Sequence, residues 1–83
     1  MSAASFTLVT MRADLGRILK QDPATIDDDE NLVDLGLDSI RAMMLVQTWR
    51  DGGIRVEFSE LAERLTIAAW WEVIAPRLPQ GAA

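Results

Sequence analysis

The sequence predicts an all-α fold, one bundle of four helices with a long loop between the first and second and a short third helix. Three observations lead there. Apolar residues recur at spacings of three and four in separate stretches of the chain. Capping residues stand ahead of those stretches, and Gly or Pro closes them. The one alternating run, Ile54-Arg55-Val56-Glu57-Phe58, has no evident partner strand, and a lone strand does not hold in so small a chain, so it reads as an extended connector.

Taken in order, Leu8, Met11, Leu15, Ile18 and Leu19 share one helical face, with Arg12, Asp14, Arg17 and Lys20 opposite, which predicts a first helix from Ser5 to about Lys20. Asp22-Pro23 stops it, because the residue before a proline is pushed out of the helical region and the proline cannot continue the ladder. From Gln21 to Asp38 no period is sustained, yet Ile26, Leu32, Val33, Leu35 and Leu37 are too apolar for a solvated tether and are expected to pin the loop to the core. Loops of this length are uncommon unless they serve function.

A second helix is expected from Ile40 to about Asp51, opened by Ser39 as N-cap and ended by Gly52-Gly53. A shorter third runs from Phe58-Ser59 to near Arg64. Thr66 caps a fourth over Ile67 to Ile74, with Pro76 and Pro79 beyond it. The reading is one domain over residues 1–79 and a small-residue tail, 80–83, expected to be disordered.

Composition narrows the function. With 83 residues, 49% of them apolar, the chain can build one core and not two. It has neither cysteine nor histidine, which removes thiolate nucleophiles, disulfides, the commonest general base and the commonest transition-metal ligand. Self-contained hydrolytic catalysis is improbable on that inventory, and no enzyme is expected. A net charge of −5 with scattered cations argues against nucleic acid, which needs clustered Lys and Arg, and favours basic protein partners. The first residues lack the features of a secretory signal and no apolar run approaches the length of a membrane span, so a cytoplasmic monomer without membrane contact is expected.

Ser39 is the first candidate site. Serine is among the best N-caps, and most serines ahead of a helix do only that. A helix N-terminus also offers free N–H donors and the positive end of the macrodipole, which favour a phosphodiester attached there. Both uses claim one hydroxyl, and Asp38 beside it would oppose a phosphate unless a basic partner is near. On the second helix Ala42, Leu45, Val46 and Trp49 fit a core face, while Ile40, Met43 and Gln47 lie on another, which is either a wide buried face or an exposed docking stripe.

Asp27, Asp28, Asp29, Glu30 and Asp34 form an acidic loop whose spacing is like that of a calcium loop, but Leu32 stands where such a loop needs glycine, so no metal is expected. Trp70 and Trp71 point about 100° apart on a helix, so one ring is expected in the core and the other half-exposed.

The stretch Asp34-Leu35-Gly36-Leu37-Asp38-Ser39-Ile40 resembles the phosphopantetheine-attachment motif of carrier proteins, in which an Asp-Ser pair opens the second helix. The segment Val56 to Trp71, with Phe58-x-x-Leu61-Ala62 and Thr66-Ile67-x-x-Trp70-Trp71, resembles the aryl carrier proteins of siderophore and related nonribosomal peptide synthesis. This resemblance implies an acyl carrier protein type of bundle and a 4′-phosphopantetheine taken from coenzyme A onto Ser39. It implies an aryl acid held on that arm as a thioester. Residue by residue, Asp38 and Asp34 match acidic positions read by the phosphopantetheinyl transferase, and Met43, Phe58 and Ala62 match positions that contact a condensation domain; Ile40 joins Met43 on the candidate stripe. The implied partners are that transferase, an aryl-acid adenylating enzyme and the condensation domain of a nonribosomal peptide synthetase. Gly52-Gly53 and Pro76 depart from the family pattern without touching the attachment motif.

Two other outcomes stay open at this point: a carrier of aminoacyl, polyketide or fatty-acyl groups, and an unmodified helical adaptor in which Ser39 only caps and Ile40 and Met43 bind a partner helix.

Overall fold

The computed structural model describes residues 6–78, which contain four α-helices and no strand. α1 spans Leu8–Leu19, α2 Ser39–Asp51, α3 Phe58–Ala62 and α4 Ile67–Ile74. Three 3-10 turns accompany them, Pro23–Thr25 and Leu32–Leu35 in the long loop and Ala75–Arg77 after α4. The expected start of the first helix at Ser5 and the expected tail fall outside the described residues.

α1 begins at Leu8 because Thr7 caps it, its hydroxyl accepting from the Thr10 N–H at 3.2 Å. It ends at Lys20, which adopts the left-handed conformation at φ 57° and returns its N–H to the Gly16 carbonyl. Gly16 lets the chain double back there: a Cβ at that position would stand 2.7 Å from Pro23 Cγ and 2.8 Å from the Gln21 carbonyl oxygen.

The core draws on every segment. Met11, Leu15, Leu32, Leu61, Ile67, Trp70 and Ile74 are the largest fully buried side chains, each stabilising the fold by about 1.5–3 kcal/mol through burial. Ala42, Leu45, Val46 and Trp49 form the buried face of α2 as their spacing predicts, and Ile54 and Val56 of the extended connector are buried beside them. Trp70 is buried, its indole N–H donating to the Leu61 carbonyl at 2.9 Å, while Trp71 is half-buried and stacks on Phe6 at 6.3 Å. Trp49 meets Phe6 and Trp70 edge to face at 5.5 and 6.0 Å.

One carboxylate enters this core. Asp14 is 5% exposed and accepts from Trp49 Nε1 at 2.9 Å, a bond that ties α1 to α2, and from Arg17 of its own helix at 2.9 Å. Among the described residues no buried side-chain polar atom lacks a partner.

The long loop is fastened at several points. The Arg12 guanidinium donates to the Ile26 carbonyl and to the Asp28 carboxylate. The Asp28 carbonyl accepts from the Ala68 N–H at 3.0 Å, and the Leu32 N–H donates to the Leu65 carbonyl at 2.8 Å. Ile26, Leu32 and Leu37 are buried and Leu35 half-buried, as anchors should be. Val33 is not an anchor: it is 49% exposed, because three residues per turn in the 3-10 segment put Leu32 and Leu35 inward together and turn Val33 out. α3 also stops at Ala62 and not near Arg64, since the chain must turn to present the Leu65 carbonyl to Leu32.

Candidate functional site

The loop delivers the chain to α2 through two local devices. Gly36 closes the 3-10 turn at φ 106°, a conformation that glycine adopts freely and a side-chain-bearing residue does not, and its N–H returns to the Val33 carbonyl at 3.0 Å. Leu37 then enters the core and Asp38 takes extended backbone, φ −132° and ψ 177°, as the N-cap of α2.

That assignment corrects the expectation that Ser39 caps the helix. The Asp38 Oδ1 accepts from the Arg41 N–H at 2.8 Å, and Ser39 is already the first helical residue. Aspartate ranks with serine at this position, so spacing alone could not choose between adjacent candidates. The consequence is chemical. Ser39 is exposed, and among the described residues its hydroxyl makes no hydrogen bond.

Arg41 supplies the basic partner that Asp38 required. Its Nη1 donates to Asp38 Oδ2 at 3.2 Å and to the Gly36 carbonyl at 3.1 Å. The i, i+3 spacing of Asp38 and Arg41 was a signal for this pair that reading the serine alone passed over.

The structure brings Ser39, Phe58 and Ala62 together. A groove of about 380 Å³ opens at the serine, lined by Ser39 with Leu37, Asp38, Ala42, Phe58, Ala62 and Leu65. Phe58 is half-buried against the core and Ala62 is exposed. Val33 joins the lining, which its expected role as a core anchor did not foresee. Asp34 is exposed on the 3-10 turn that precedes the motif.

On α2 the wide apolar face is exposed and not buried. Ile40 is 71% and Met43 55% exposed, and Met44, absent from the sequence reading of this stripe, is 56% exposed. Positions 40, 43 and 44 adjoin on the helix surface, so an apolar strip runs along α2 from the serine, within a chain that is acidic overall.

These features fit a covalent phosphodiester at Ser39. The hydroxyl is accessible, the Ser39 and Ile40 N–H groups of the first turn take no partner among the described residues, the helix dipole is positive there, and a guanidinium lies one residue from the serine's neighbour. A helical bundle presenting such a serine at the start of its second helix is what the resemblance of the Asp34 to Ile40 motif to carrier proteins led one to expect.

Comparison with known proteins agrees. Residues 10–74 match the family model described as "Phosphopantetheine attachment site". The chain belongs to that family, and a covalently attached 4′-phosphopantetheine is its cofactor. It is 42% identical over 80 residues to the acyl carrier protein ScoB of Streptomyces coeruleorubidus, covering 96% of this chain and 92% of that protein. It is 44% identical over 75 residues to an isochorismatase of Bacillus subtilis, covering 90% of this chain but 24% of that protein. It is 38% identical over 77 residues to the phenyloxazoline synthase MbtB of a Mycobacterium species, covering 93% of this chain and 7% of that protein. The chain thus spans a quarter or less of the two relatives named for enzymatic activities, and those activities are not carried over by the match. Among the described residues no helix is long and apolar enough to cross a membrane.

Proposed function

We propose that residues 1–79 form a single aryl carrier domain, that Ser39 bears its phosphopantetheine arm, and that the arm holds an aryl acid as a thioester during nonribosomal peptide synthesis of the siderophore kind. The observation that carries the attachment site is the division of labour at the entrance of α2: Asp38 caps the helix, which leaves the Ser39 hydroxyl exposed for esterification. The bound arm supplies the thiol that a cysteine-free chain lacks. The chain's own residues then present and recognise, with no catalysis of their own.

In this reading Asp34 and Asp38 address a basic phosphopantetheinyl transferase, and the exposed strip of Ile40 and Met43 with Phe58 and Ala62 of the groove receives first an adenylating enzyme and then a condensation domain. A small apolar strip in an acidic surface suits partners that must meet quickly and leave, since charge speeds encounter while modest area permits release. The Phe58 to Trp71 segment and the likeness to a synthase named for a phenyloxazoline product support an aryl cargo.

The test is intact-mass analysis after incubation with coenzyme A and a promiscuous phosphopantetheinyl transferase. The wild type gains one phosphopantetheine and Ser39→Ala gains none; a folded wild type that gains nothing refutes the reading. Loading the holo protein with adenylating enzymes for aryl acids and for amino acids then decides the cargo. A second reading, a carrier of another acyl class, is favoured by the near full-length likeness to an acyl carrier protein. Loading by fatty-acyl or polyketide enzymes in preference to aryl-acid enzymes would establish it.

A further inference from the structure

We infer that Arg41 is the charge-balancing partner of the phosphodiester, shared between Asp38 and the phosphate once the arm is on Ser39. The inference rests on Ser39 being the attachment site.

The electrostatic problem is local. Attachment places a full negative charge on the residue next to Asp38, whose carboxylate is already spent on the cap, and Asp34 lies one 3-10 turn upstream. Two anions on neighbouring side chains disfavour each other unless a cation joins them. Most other arginines are committed elsewhere: Arg12 to Asp28, Arg17 to Asp14, Arg50 to Glu57, Arg64 to Glu72 and Arg77 to Glu60. Arg41 is the cation whose ion pair sits at the entrance of α2.

Its geometry leaves capacity to spare. Both of its contacts, to Asp38 and to the Gly36 carbonyl, come from Nη1. Among the described residues Nη2 and Nε donate to nothing, and the side chain is 45% exposed. A guanidinium has five N–H donors in a planar fork that suits phosphate oxygens in pairs, so Arg41 can take the phosphodiester without releasing Asp38. The Ser39 and Ile40 N–H groups, without a partner among the described residues, add the positive end of the α2 dipole at the same helix terminus.

The test is a cycle of four proteins: apo and holo wild type, apo and holo Arg41→Gln, each with its modification state verified by intact mass. Melting followed by circular dichroism at low salt should show modification lowering the melting temperature of Arg41→Gln by about 2–4 °C more than that of the wild type, the size expected for one exposed charge pair in a domain this small. The excess should shrink in about 1 M salt, and Arg41→Lys, which keeps the charge, should recover most of it. The phosphodiester ³¹P resonance should also move in holo Arg41→Gln and stay in place in holo Arg64→Gln, whose arginine pairs with Glu72. If Ser39 gains no arm, the attachment reading fails first. If it gains one and Arg41→Gln lowers apo and holo equally with the ³¹P resonance unmoved, Arg41 only props the Gly36 to Asp38 turn and the inference is wrong.

Discussion

Replacing Asp38 and Ser39 one at a time by alanine separates capping from attachment. Asp38→Ala removes the acceptor of the Arg41 N–H and a carboxylate at the positive end of a 13-residue helix. Loss of an N-cap costs about 1 kcal/mol. The ion pair with Arg41, whose side chains are 45% and 54% exposed, adds no more than about 0.5 kcal/mol after solvent screening. A total of about 1.5 kcal/mol corresponds to a fall of about 6–12 °C in the melting temperature of the apo protein. Asp38→Asn keeps the capping oxygen and should lose well under half of that. Ser39→Ala removes a hydroxyl that bonds nothing among the described residues and puts a strong helix former at the first helical position, so the change should stay within about 0.5 kcal/mol. The assay is thermal melting of the apo proteins, with intact mass after transferase treatment. Asp38→Ala should be destabilised yet remain a test of transferase recognition, whereas Ser39→Ala should be stable and unmodifiable. Should Ser39→Ala melt as low as Asp38→Ala, the serine hydroxyl is committed to the cap and the argument for its availability collapses.

Three further outcomes are expected. Asp14→Ala leaves the Trp49 indole N–H buried without an acceptor and should cost about 2–3 kcal/mol, while Trp49→Phe in that background should cost less than it does alone, which urea denaturation of the four proteins would measure. Glu60 is held down to about 2, from an ordinary 4.5, by hydrogen bonds from Arg77 and from the Glu57 N–H. Because its folded value lies below its unfolded one, that stabilisation is complete above about pH 4.5 and lost as pH falls toward 2, so the gap in urea midpoint between wild type and Arg77→Ala should close over that window; a gap of constant size at pH 5 and pH 2.5 would disconnect the pair from acid stability. Met43→Asp, at a side chain 55% exposed, should leave the melting temperature within a few degrees and transferase modification intact, yet slow transfer of the loaded acyl group to a condensation domain by at least about tenfold, read by single-turnover kinetics.

Several features could be read directly from residue order. The core face of α2 followed from Ala42, Leu45, Val46 and Trp49, the fourth helix from Thr66 and the apolar run after it, and the different burial of Trp70 and Trp71 from the 100° turn between helix neighbours. Each depends on contacts within a few residues, which local chemistry controls. The attachment motif was legible in a different way, through the resemblance of Asp34 to Ile40 to that of carrier proteins, since on local chemistry Ser39 reads first as a helix cap.

What the chain order could not settle were choices between equivalent neighbours and contacts between distant segments. Asp38 and Ser39 are both good caps, and only the backbone at the entrance of α2 assigns the cap to one and frees the other. Periodicity left Ile40 and Met43 either buried or exposed; packing of α2 by its other face left both, and Met44, in solvent. Phe58 and Ala62 reach the serine because the long loop is tied to α1 by Arg12 and to the segment before α4 through Leu32 and Leu65, closing one groove from residues far apart in the chain. The sequence by itself thus determined which residues could form helices, because those are local energies, and it pointed to Ser39 as the bearer of an arm only through the likeness of its motif to that of carrier proteins. The tertiary structure decided which apolar side chains faced outward and which distant residues closed the groove beside the serine, because those depend on how separated segments share one small core.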